Sequence, residues 1–290
     1  MALIVDAHAH VFAASDQDPR QTNELVPADR YATIEDYRDR LNAAGVDKAV
    51  LVPLDEHDAY VAAQLALHPD RFRAIAVASA ADLGRTGDDP VDHLRTRRET
   101  FPFAGIRTMW LGEPGTPLAD SPIRPMLAYM ETEGLILWSY LPPDQAPLLT
   151  EVGELYPDLR VVLNHMGFTP HDMQVDRHSR PWFATGLTPQ RRAEVEALAR
   201  FDSVHLMFSG HYALSHQPHP YPEVHEAGAA LVAAFGPERT LWGSDWPWID
   251  QEPGYPATYE IVNLALPDLS HGERAMIRGG TAQRLFDFSA

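Results

Sequence analysis

The sequence of 290 residues contains no cysteine. Disulfides, thiol nucleophiles, iron–sulfur clusters and zinc sites built from four cysteines are therefore excluded. A chain of this length buries a sizeable core without disulfides, so the absence of cysteine does not identify the redox compartment.

Long apolar runs are absent as well. The longest, such as Ala49–Leu54 and Ala229–Phe235, have the length of a strand or a short helix, whereas a membrane-spanning helix needs about 20 consecutive apolar residues. No basic segment precedes the first apolar residues, as a secretory leader would require. We therefore expect a cytoplasmic protein that has no membrane partner.

Positive charge is scarce. Lys and Arg together number 23 and Asp and Glu 41, which gives a net charge of −18. Binding to a phosphate backbone depends on basic groups that displace counterions, so we exclude nucleic acid as a partner. A small-molecule substrate is expected from the site motifs described below. The sequence also lacks the glycine motifs GxGxxG and GxxxxGK[ST] of dinucleotide and P-loop sites. A homo-oligomer is left open.

Eight short β-branched or aliphatic runs are distributed along the chain, and we predict a strand at each. Their apolar residues are consecutive rather than alternating, which indicates burial on both faces and hence a parallel sheet covered by helices. Helical patterns with recognisable ends lie at 33–45, 125–134 and 222–236. The predicted strands are Leu3–Val5, Lys48–Leu54, Phe72–Val77, Ala104–Leu111, Leu135–Leu141, Leu159–Leu163, Val204–Phe208 and Thr240–Trp242.

Eight strand–helix units in about 250 residues match the size of a (β/α)8 TIM barrel, whereas an open doubly wound sheet of this length usually has fewer strands. We therefore predict an α/β fold of this kind, as a single domain over residues 1–290. Ser270 and Glu273 form a capping-box pattern, and we expect the segment that follows to close the barrel as helices.

Two histidines follow the first predicted strand, in Asp6-Ala7-His8-Ala9-His10. Side chains two residues apart on a strand share a face, so His8 and His10 are expected to point together toward the barrel axis. Two imidazoles there could bind one metal ion or one carbonyl group. The alternative is a pair of surface histidines, because imidazole has many roles besides ligation.

An aspartate follows the eighth predicted strand, in Trp242-Gly243-Ser244-Asp245-Trp246-Pro247-Trp248. In a closed barrel the eighth strand neighbours the first, so Asp245 is expected within reach of His8 and His10. The alternative role for Asp245 is to cap the next helix.

A third histidine, His165, follows the sixth predicted strand in Asn164-His165-Met166-Gly167. It is expected at the carboxyl edge of the barrel, where such folds place their active sites. A lone buried histidine can also be purely structural, which is the alternative for His165.

These motifs together resemble the amidohydrolase superfamily, and within it the branch that contains 2-pyrone-4,6-dicarboxylate hydrolase and sugar-acid lactonases. The resemblance runs in consistent order from about residue 3 to 287. It includes the three motifs above and a closing segment, Gly280-Thr281-Ala282-Gln283-Arg284-Leu285-Phe286.

The resemblance implies a distorted (β/α)8 barrel that hydrolyses a lactone. Asp245 would be the general base, and His8, His10 and His165 would surround the carbonyl oxygen. Metal-binding members of the superfamily have a further histidine on the fifth strand, about where this sequence has Tyr140. His8, His10 and Asp245 could still hold one divalent ion such as zinc, since catalytic zinc usually has three protein ligands. The alternative is that no metal is required.

Recognition of an anionic substrate group is expected to depend on two arginines, because a guanidinium donates two parallel hydrogen bonds to a carboxylate. Arg107 lies on the fourth predicted strand, where an unpaired buried charge would be costly. Arg180 lies in the loop after the sixth strand and could instead pair with Asp172 or Asp176 in a solvated turn.

Three further residues are candidate substrate contacts: Tyr140, His211 and Trp246. For His211 the alternative is an exposed loop position. Aromatic side chains such as Trp246 exclude water from a site, but packing in the core is the alternative.

We therefore expect a hydrolase that opens a cyclic ester carrying a carboxylate or several hydroxyl groups. The alternative is a metal-dependent, non-oxidative decarboxylase of an aromatic or unsaturated acid, against which the missing fifth-strand histidine counts. A catalytically silent binding barrel or a cyclase-like scaffold is a third option. Such a protein has no need for a buried carboxylate beside three histidines.

Overall fold

The computed structural model describes residues 3–288, so residues 1–2 and 289–290 of the predicted domain lie outside it. Its main sheet has eight parallel strands with helices between them, which confirms the predicted α/β (β/α)8 barrel. An antiparallel hairpin of two short strands is inserted after the sixth. In chain order the strands are β1 Val5–Ala9, β2 Lys48–Leu51, β3 Phe72–Val77, β4 Gly105–Thr108, β5 Ile136–Ser139, β6 Arg160–Leu163, β7 Gln174–Val175, β8 Pro181–Trp182, β9 Val204–Phe208 and β10 Thr240–Trp242.

Most of the predicted strands differ from the observed ones only at their ends. The exception is the first, which was expected at Leu3–Val5 but runs from Val5 to Ala9 and so includes His8. Consecutive residues of the strands are buried on both faces, as the apolar runs predicted.

Helices cover the outside of the barrel and follow the strands. They are α1 Ile34–Ala44, α2 Ala59–Leu67, α3 Pro90–Thr100, α4 Arg124–Thr132, α5 Leu148–Leu155, α6 Pro189–Leu198, α7 His211–Leu214, α8 His225–Phe235, α9 Tyr255–Ala265, α10 His271–Ala275 and α11 Thr281–Leu285. Within residues 3–288, no helix is long and apolar enough to span a membrane.

The helix ends show why these segments begin and end where they do. The Thr33 side chain accepts a hydrogen bond from the backbone N–H of Asp36 at the start of α1, and Gly45 ends that helix with a φ of 68°. Ser270 and Glu273 form the predicted capping box at the start of α10. Such caps satisfy backbone groups that have no partner within the helix.

Apolar side chains fill the barrel interior. Val50, Ile75, Trp138 and Met207 belong to one buried cluster inside the sheet. The C-terminal segment joins that cluster through Phe286, and thus closes the end of the barrel at which the strands begin. The expected closure by terminal helices is therefore present.

A tight backbone contact fixes this closure. Gly279 lies in a π-helical turn, Met276–Gly280, between α10 and α11. A Cβ atom at Gly279 would lie 1.8 Å from the backbone oxygen of Leu3. Only glycine fits this position without a shift of the backbone.

We predict that Gly279→Ala lowers the free energy of unfolding by about 1–3 kcal/mol, because the added methyl group forces the two segments apart. The matched control is Gly272→Ala in α10, where the nearest atom to a new Cβ is 4.0 Å away. This control should be neutral or stabilising by up to about 1 kcal/mol. Urea unfolding followed by circular dichroism measures both; equal effects would contradict the packing argument.

Candidate active site

The barrel closes through the loop that follows β10. The strands β1 and β10 stand at the two ends of the hydrogen-bonded strand order, and the loop joins them. The backbone N–H of Asp245 donates to the carbonyl of His8 at 2.8 Å, and that of His10 donates to Trp246 at 2.7 Å. A Cβ at Gly243 would lie 2.8 Å from the Cβ of His8, so glycine permits this approach. The structure thus brings Asp245 to His8 and His10.

Asp6 anchors the same junction from behind. Its Oδ1 accepts a hydrogen bond from the backbone N–H of Ser244 at 2.8 Å. Its Oδ2 accepts from the hydroxyls of Tyr37 in α1 and Tyr255 in α9, each at 2.7 Å. Burial raises the pKa of Asp6, against the lowering effect of these hydrogen bonds. Because Ser244 precedes Asp245, the Asp6 carboxylate positions the loop that carries the candidate base.

An irregularity in the strand register separates Asp6 from His8. The pairing of β1 with β2 shifts between Asp6 and Ala9, and a shift of this kind re-aims side chains along a strand. Asp6 consequently faces the helices, whereas His8 faces the barrel interior, with its ring centroid 5.3 Å from that of Trp138. The rings of His8 and His10 lie 4.9 Å apart, as their spacing predicted.

The Asp245 carboxylate is buried among three imidazoles. Its Oδ1 lies 3.6 Å from His8 Nδ1 and 3.5 Å from His10 Nε2. Its Oδ2 lies 3.3 Å from His165 Nε2 and accepts a hydrogen bond from the Tyr212 hydroxyl at 2.6 Å. The two oxygens therefore differ, because Oδ2 has a firm donor and Oδ1 has none.

The backbone conformation of the residue that carries this carboxylate is also unusual. Asp245 has a φ of 62°, in the left-handed region that residues other than glycine rarely adopt. Positions of this kind are concentrated at functional sites, where the surrounding contacts hold them.

His165 occupies a comparable turn after β6, with a φ of 43°. Its Nδ1 lies 2.9 Å from the Ser209 hydroxyl. A Cβ at Gly210 would lie 2.6 Å from the His165 ring, so the ring depends on this glycine for space. All three predicted histidines thus surround one carboxylate.

The ionisation of the site residues depends on their burial and on their neighbours. Burial would raise the pKa of Asp245, but the imidazoles of His165, His8 and His10 outweigh it and hold this pKa well below its usual range. Burial lowers the pKa of His8 and of His165. At neutral pH the arrangement is therefore an ionised Asp245 carboxylate beside neutral imidazoles of His8 and His165.

The tautomer of His10 follows from one hydrogen bond. Its Nδ1 lies 2.7 Å from the backbone oxygen of Val52. A carbonyl oxygen only accepts, so Nδ1 carries the proton and a neutral His10 presents a lone pair on Nε2. That lone pair faces Asp245 Oδ1, another acceptor. Two acceptors at this distance suit a cation held by both atoms.

The donor set fits a divalent metal ion. One ligand atom from each of His8, His10 and Asp245 lies within 4.8 Å of the others. Both ring nitrogens of His8 and Oδ1 of Asp245 are buried without a hydrogen-bond partner. Buried polar atoms normally have partners, and two imidazoles with one carboxylate suit zinc. These residues could therefore hold one ion.

Arg107 and Tyr140 line the same cavity. The Arg107 guanidinium lies 5.4 Å from the centre of the Tyr140 ring and donates to the backbone oxygens of Pro53 and Leu54. Burial lowers the pKa of Arg107 and raises that of Tyr140 to about 12. Among residues 3–288 no carboxylate forms an ion pair with Arg107 under a 4.0 Å limit.

The structure does not bring the other three candidates into the cavity. His211 is buried behind it, with its ring 4.5 Å from that of Phe208. Trp246 stacks on Tyr37 at 4.9 Å, in the layer between barrel and helices, because the chain turns at Asp245.

Arg180 lies on the hairpin formed by β7 and β8. It pairs with Asp176 at 2.8 Å, one of the two partners weighed for it, but its side chain is buried rather than solvated. Its guanidinium also lies 5.1 Å from the centre of the Tyr212 ring. Arg180 therefore contacts the cavity only through Tyr212.

The cavity has a volume of about 190 Å³. Trp248 and Tyr212 form two of its walls, although neither was among the candidate substrate contacts. The sequence gives little signal for either, because an aromatic side chain near a motif can equally pack in the core. The lining residues are His8, His10, Leu25, Leu54, Arg107, Met109, Tyr140, His165, Met173, Pro181, Phe183, Tyr212, Ala213, Asp245 and Trp248.

Comparison with known proteins places this geometry in context. A family model described as amidohydrolase matches residues 5–288. The L-fucono-1,5-lactonase of Burkholderia ambifaria is 28% identical over 255 residues, which cover 85% of this chain and 81% of the relative.

Two solved structures share the fold. A protein named as a 2-pyrone-4,6-dicarboxylic acid hydrolase from Pseudomonas putida has a TM-score of 0.74 and 24% identity, over 100% of this chain and 99% of its own. An amidohydrolase from Burkholderia multivorans with bound zinc has a TM-score of 0.76 and 20% identity, over 99% and 100%.

The buried His211 makes stability depend on pH. Burial, with its histidine neighbours, lowers the pKa of His211 from 6.5 to about 3. Between these values the unfolded chain binds more protons than the folded one, so stability falls as the pH falls. At pH 5 this group alone destabilises the fold by about 2 kcal/mol relative to pH 7.

We predict that His211→Gln loses about 2 kcal/mol less stability than the wild type when the pH is lowered from 7 to 5. Urea unfolding of both proteins at both pH values measures the difference. An equal loss in the two proteins would show that His211 is not buried in its neutral form.

Proposed function

The chain belongs to the amidohydrolase family, and on this premise we propose that it is a hydrolase that opens a lactone, with Asp245 as its general base. The observation that carries the proposal is the buried Asp245 carboxylate, whose Oδ1 has no hydrogen-bond donor and faces the cavity residues His8 and His10. The likeness to a lactonase over 85% of the chain supports the reaction class.

In the proposed reaction, Asp245 Oδ1 removes a proton from a water molecule while the water oxygen attacks the ester carbonyl. The tetrahedral centre then collapses, the bond to the ring oxygen breaks, and Asp245 returns the proton to that oxygen. The product is an open-chain hydroxy acid. A single carboxylate therefore serves as base and then as acid.

Tyr212 fixes the orientation of this carboxylate. Burial and the neighbouring Asp245 hold the pKa of Tyr212 well above its ordinary value, so its hydroxyl stays protonated and donates to Oδ2. The proton transferred from water is thereby directed to Oδ1.

Hydrogen-bond donors to the developing oxyanion are expected from His8 and His165, since each well-placed donor contributes about 10²–10³ in rate. His10 is a poorer donor than the sequence suggested, because its Nδ1 proton is given to the backbone oxygen of Val52. Its free lone pair suits a metal ligand instead.

If a divalent metal is bound, His8, His10 and Asp245 would hold it, and it would polarise the ester carbonyl as a Lewis acid. The unpartnered atoms of His8 and Asp245 support this set of ligands. The cavity supplies no fourth histidine, because Tyr140 stands on the fifth-strand side.

We propose that Arg107 binds an anionic group of the substrate, with Tyr140 beside it. Within residues 3–288, the half-buried guanidinium has only backbone carbonyls as hydrogen-bond partners, so a substrate carboxylate would supply the missing charge. Arg180, His211 and Trp246 are proposed to act only indirectly, by supporting Tyr212 and the loop after β10. We also propose that the whole chain, 1–290, is one domain.

We predict that Asp245→Asn lowers kcat for lactone opening by about 10³-fold while the fold is retained, because the amide cannot accept the proton. The matched control is Asp250→Asn, which removes a surface pair with Arg40 and should leave kcat unchanged. Thermal unfolding of both variants checks the fold. Retention of most activity by Asp245→Asn would remove Asp245 from the role of base.

The alternative reaction is a non-oxidative decarboxylation. Metal content, together with the product released, distinguishes it from lactone hydrolysis. Protein purified without added metal is subjected to elemental analysis, then assayed on a panel of lactones and aromatic acids before and after chelation. We expect ring opening, with titratable acid produced and no carbon dioxide. Stoichiometric zinc with release of carbon dioxide from the acids would overturn the lactonase proposal.

A further inference from the structure

The cavity is polar at one end only. His8, His10, His165 and Asp245 are buried at its inner end, and we call them the polar floor. Arg107, Tyr140, Tyr212 and Trp248, through its indole N–H, provide the other polar side-chain groups in the described lining. Tyr212 already donates to Asp245. Beyond the reaction centre, therefore, Arg107, the Tyr140 hydroxyl and the single indole N–H are the groups left to recognise a polar substituent.

The mouth of the cavity is apolar. Leu25, Leu54, Met109 and Met173, which we call the apolar rim, line its outer part. Leu25 and Leu54 are half-buried, whereas Met109 is 55% and Met173 45% exposed. Phe183 and Trp248 continue this surface inward. Within residues 3–288, two of the six large apolar side chains that are exposed thus stand at this one opening.

Two exposed methionines at one opening indicate a binding surface. Contact between an apolar surface and water is unfavourable, and a ligand that covers the surface gains binding free energy. Methionine is flexible and adapts to apolar ligands of varying shape. The rim is continuous with the reaction centre, so a substituent on a bound ring would leave the cavity between these side chains.

We propose that the lactone opened here carries a hydrocarbon substituent that leaves the cavity across the apolar rim, and that polyhydroxylated lactones are poor substrates. This inference rests on the proposed function. Ring hydroxyls of a sugar lactone that lie beyond the reach of Arg107 and Tyr140 would lose their water on entry and would meet apolar walls. A buried hydroxyl without a partner weakens binding, whereas an alkyl group gains by leaving water.

The test compares three neutral lactones of the same ring size: δ-valerolactone without a substituent, δ-decalactone with an alkyl chain, and D-glucono-1,5-lactone with hydroxyl groups. Because none is charged, an ion pair with Arg107 does not contribute to the comparison. We expect kcat/KM for δ-decalactone to exceed that for D-glucono-1,5-lactone by at least tenfold, after correction for spontaneous hydrolysis. A preference for the hydroxylated lactone would overturn the inference.

A rim variant, Met109→Gln with Met173→Gln, keeps the side-chain length but adds polar groups. We expect the ratio of kcat/KM for δ-decalactone to that for δ-valerolactone to fall about tenfold. The matched control is Leu155→Gln, an exposed leucine of α5 outside the cavity, which should leave the ratio unchanged. An unchanged ratio in the rim variant would also overturn the inference.

Binding separates this inference from the proposed reaction. Calorimetry compares the wild-type affinities for two open-chain acids, 5-hydroxydecanoate and D-gluconate. If no lactone is opened but 5-hydroxydecanoate binds at least tenfold more tightly, the proposed function fails and the apolar selectivity stands. If lactones are opened but D-gluconate binds as tightly as 5-hydroxydecanoate, the lactonase stands and this inference fails.

Discussion

The contact between the first strand and the loop after the last one is the constraint on which the rest of the molecule depends. Two backbone hydrogen bonds join His8 to Asp245 and His10 to Trp246. Behind them, the buried Asp6 carboxylate binds the backbone of Ser244. The same contact closes the barrel and assembles the candidate site, so fold and chemistry cannot be separated here. Backbone amide groups that would otherwise be unpaired at a sheet edge instead hold the loop that carries the buried Asp245 carboxylate.

The architecture could be predicted from the sequence because its signals were local and agreed with each other. Consecutive apolar residues marked the strands, and caps such as Thr33 and Ser270 marked the helices. Once eight parallel strands are accepted, barrel topology brings the two ends of the chain together. The meeting of Asp245 with His8 and His10 followed from that topology alone, without knowledge of any contact.

What could not be predicted was the direction of individual side chains where the backbone is irregular. A strand period of two places Asp6 on the same face as His8, but the register shift beside it turns Asp6 to the helices. The left-handed turn at Asp245 sends Trp246 behind the site and brings Trp248 to it. No residue pattern in the loop after β10 predicts such a turn. A single sequence also does not predict contacts made by other elements, such as the hydrogen bond from the Tyr212 hydroxyl to Asp245.

The position of the junction has a consequence for biosynthesis. His8 and Asp245 are separated by 237 positions in the chain, so a ribosome adds this many residues after His8 before the two can meet. Until then, the edge of β1 that pairs with the loop after β10 has no hydrogen-bond partner. His8 and His10 have no carboxylate beside them. Partly synthesised chains are expected to be inert and prone to associate through that edge. Catalytic competence would thus appear only after Asp245 has been added to the chain.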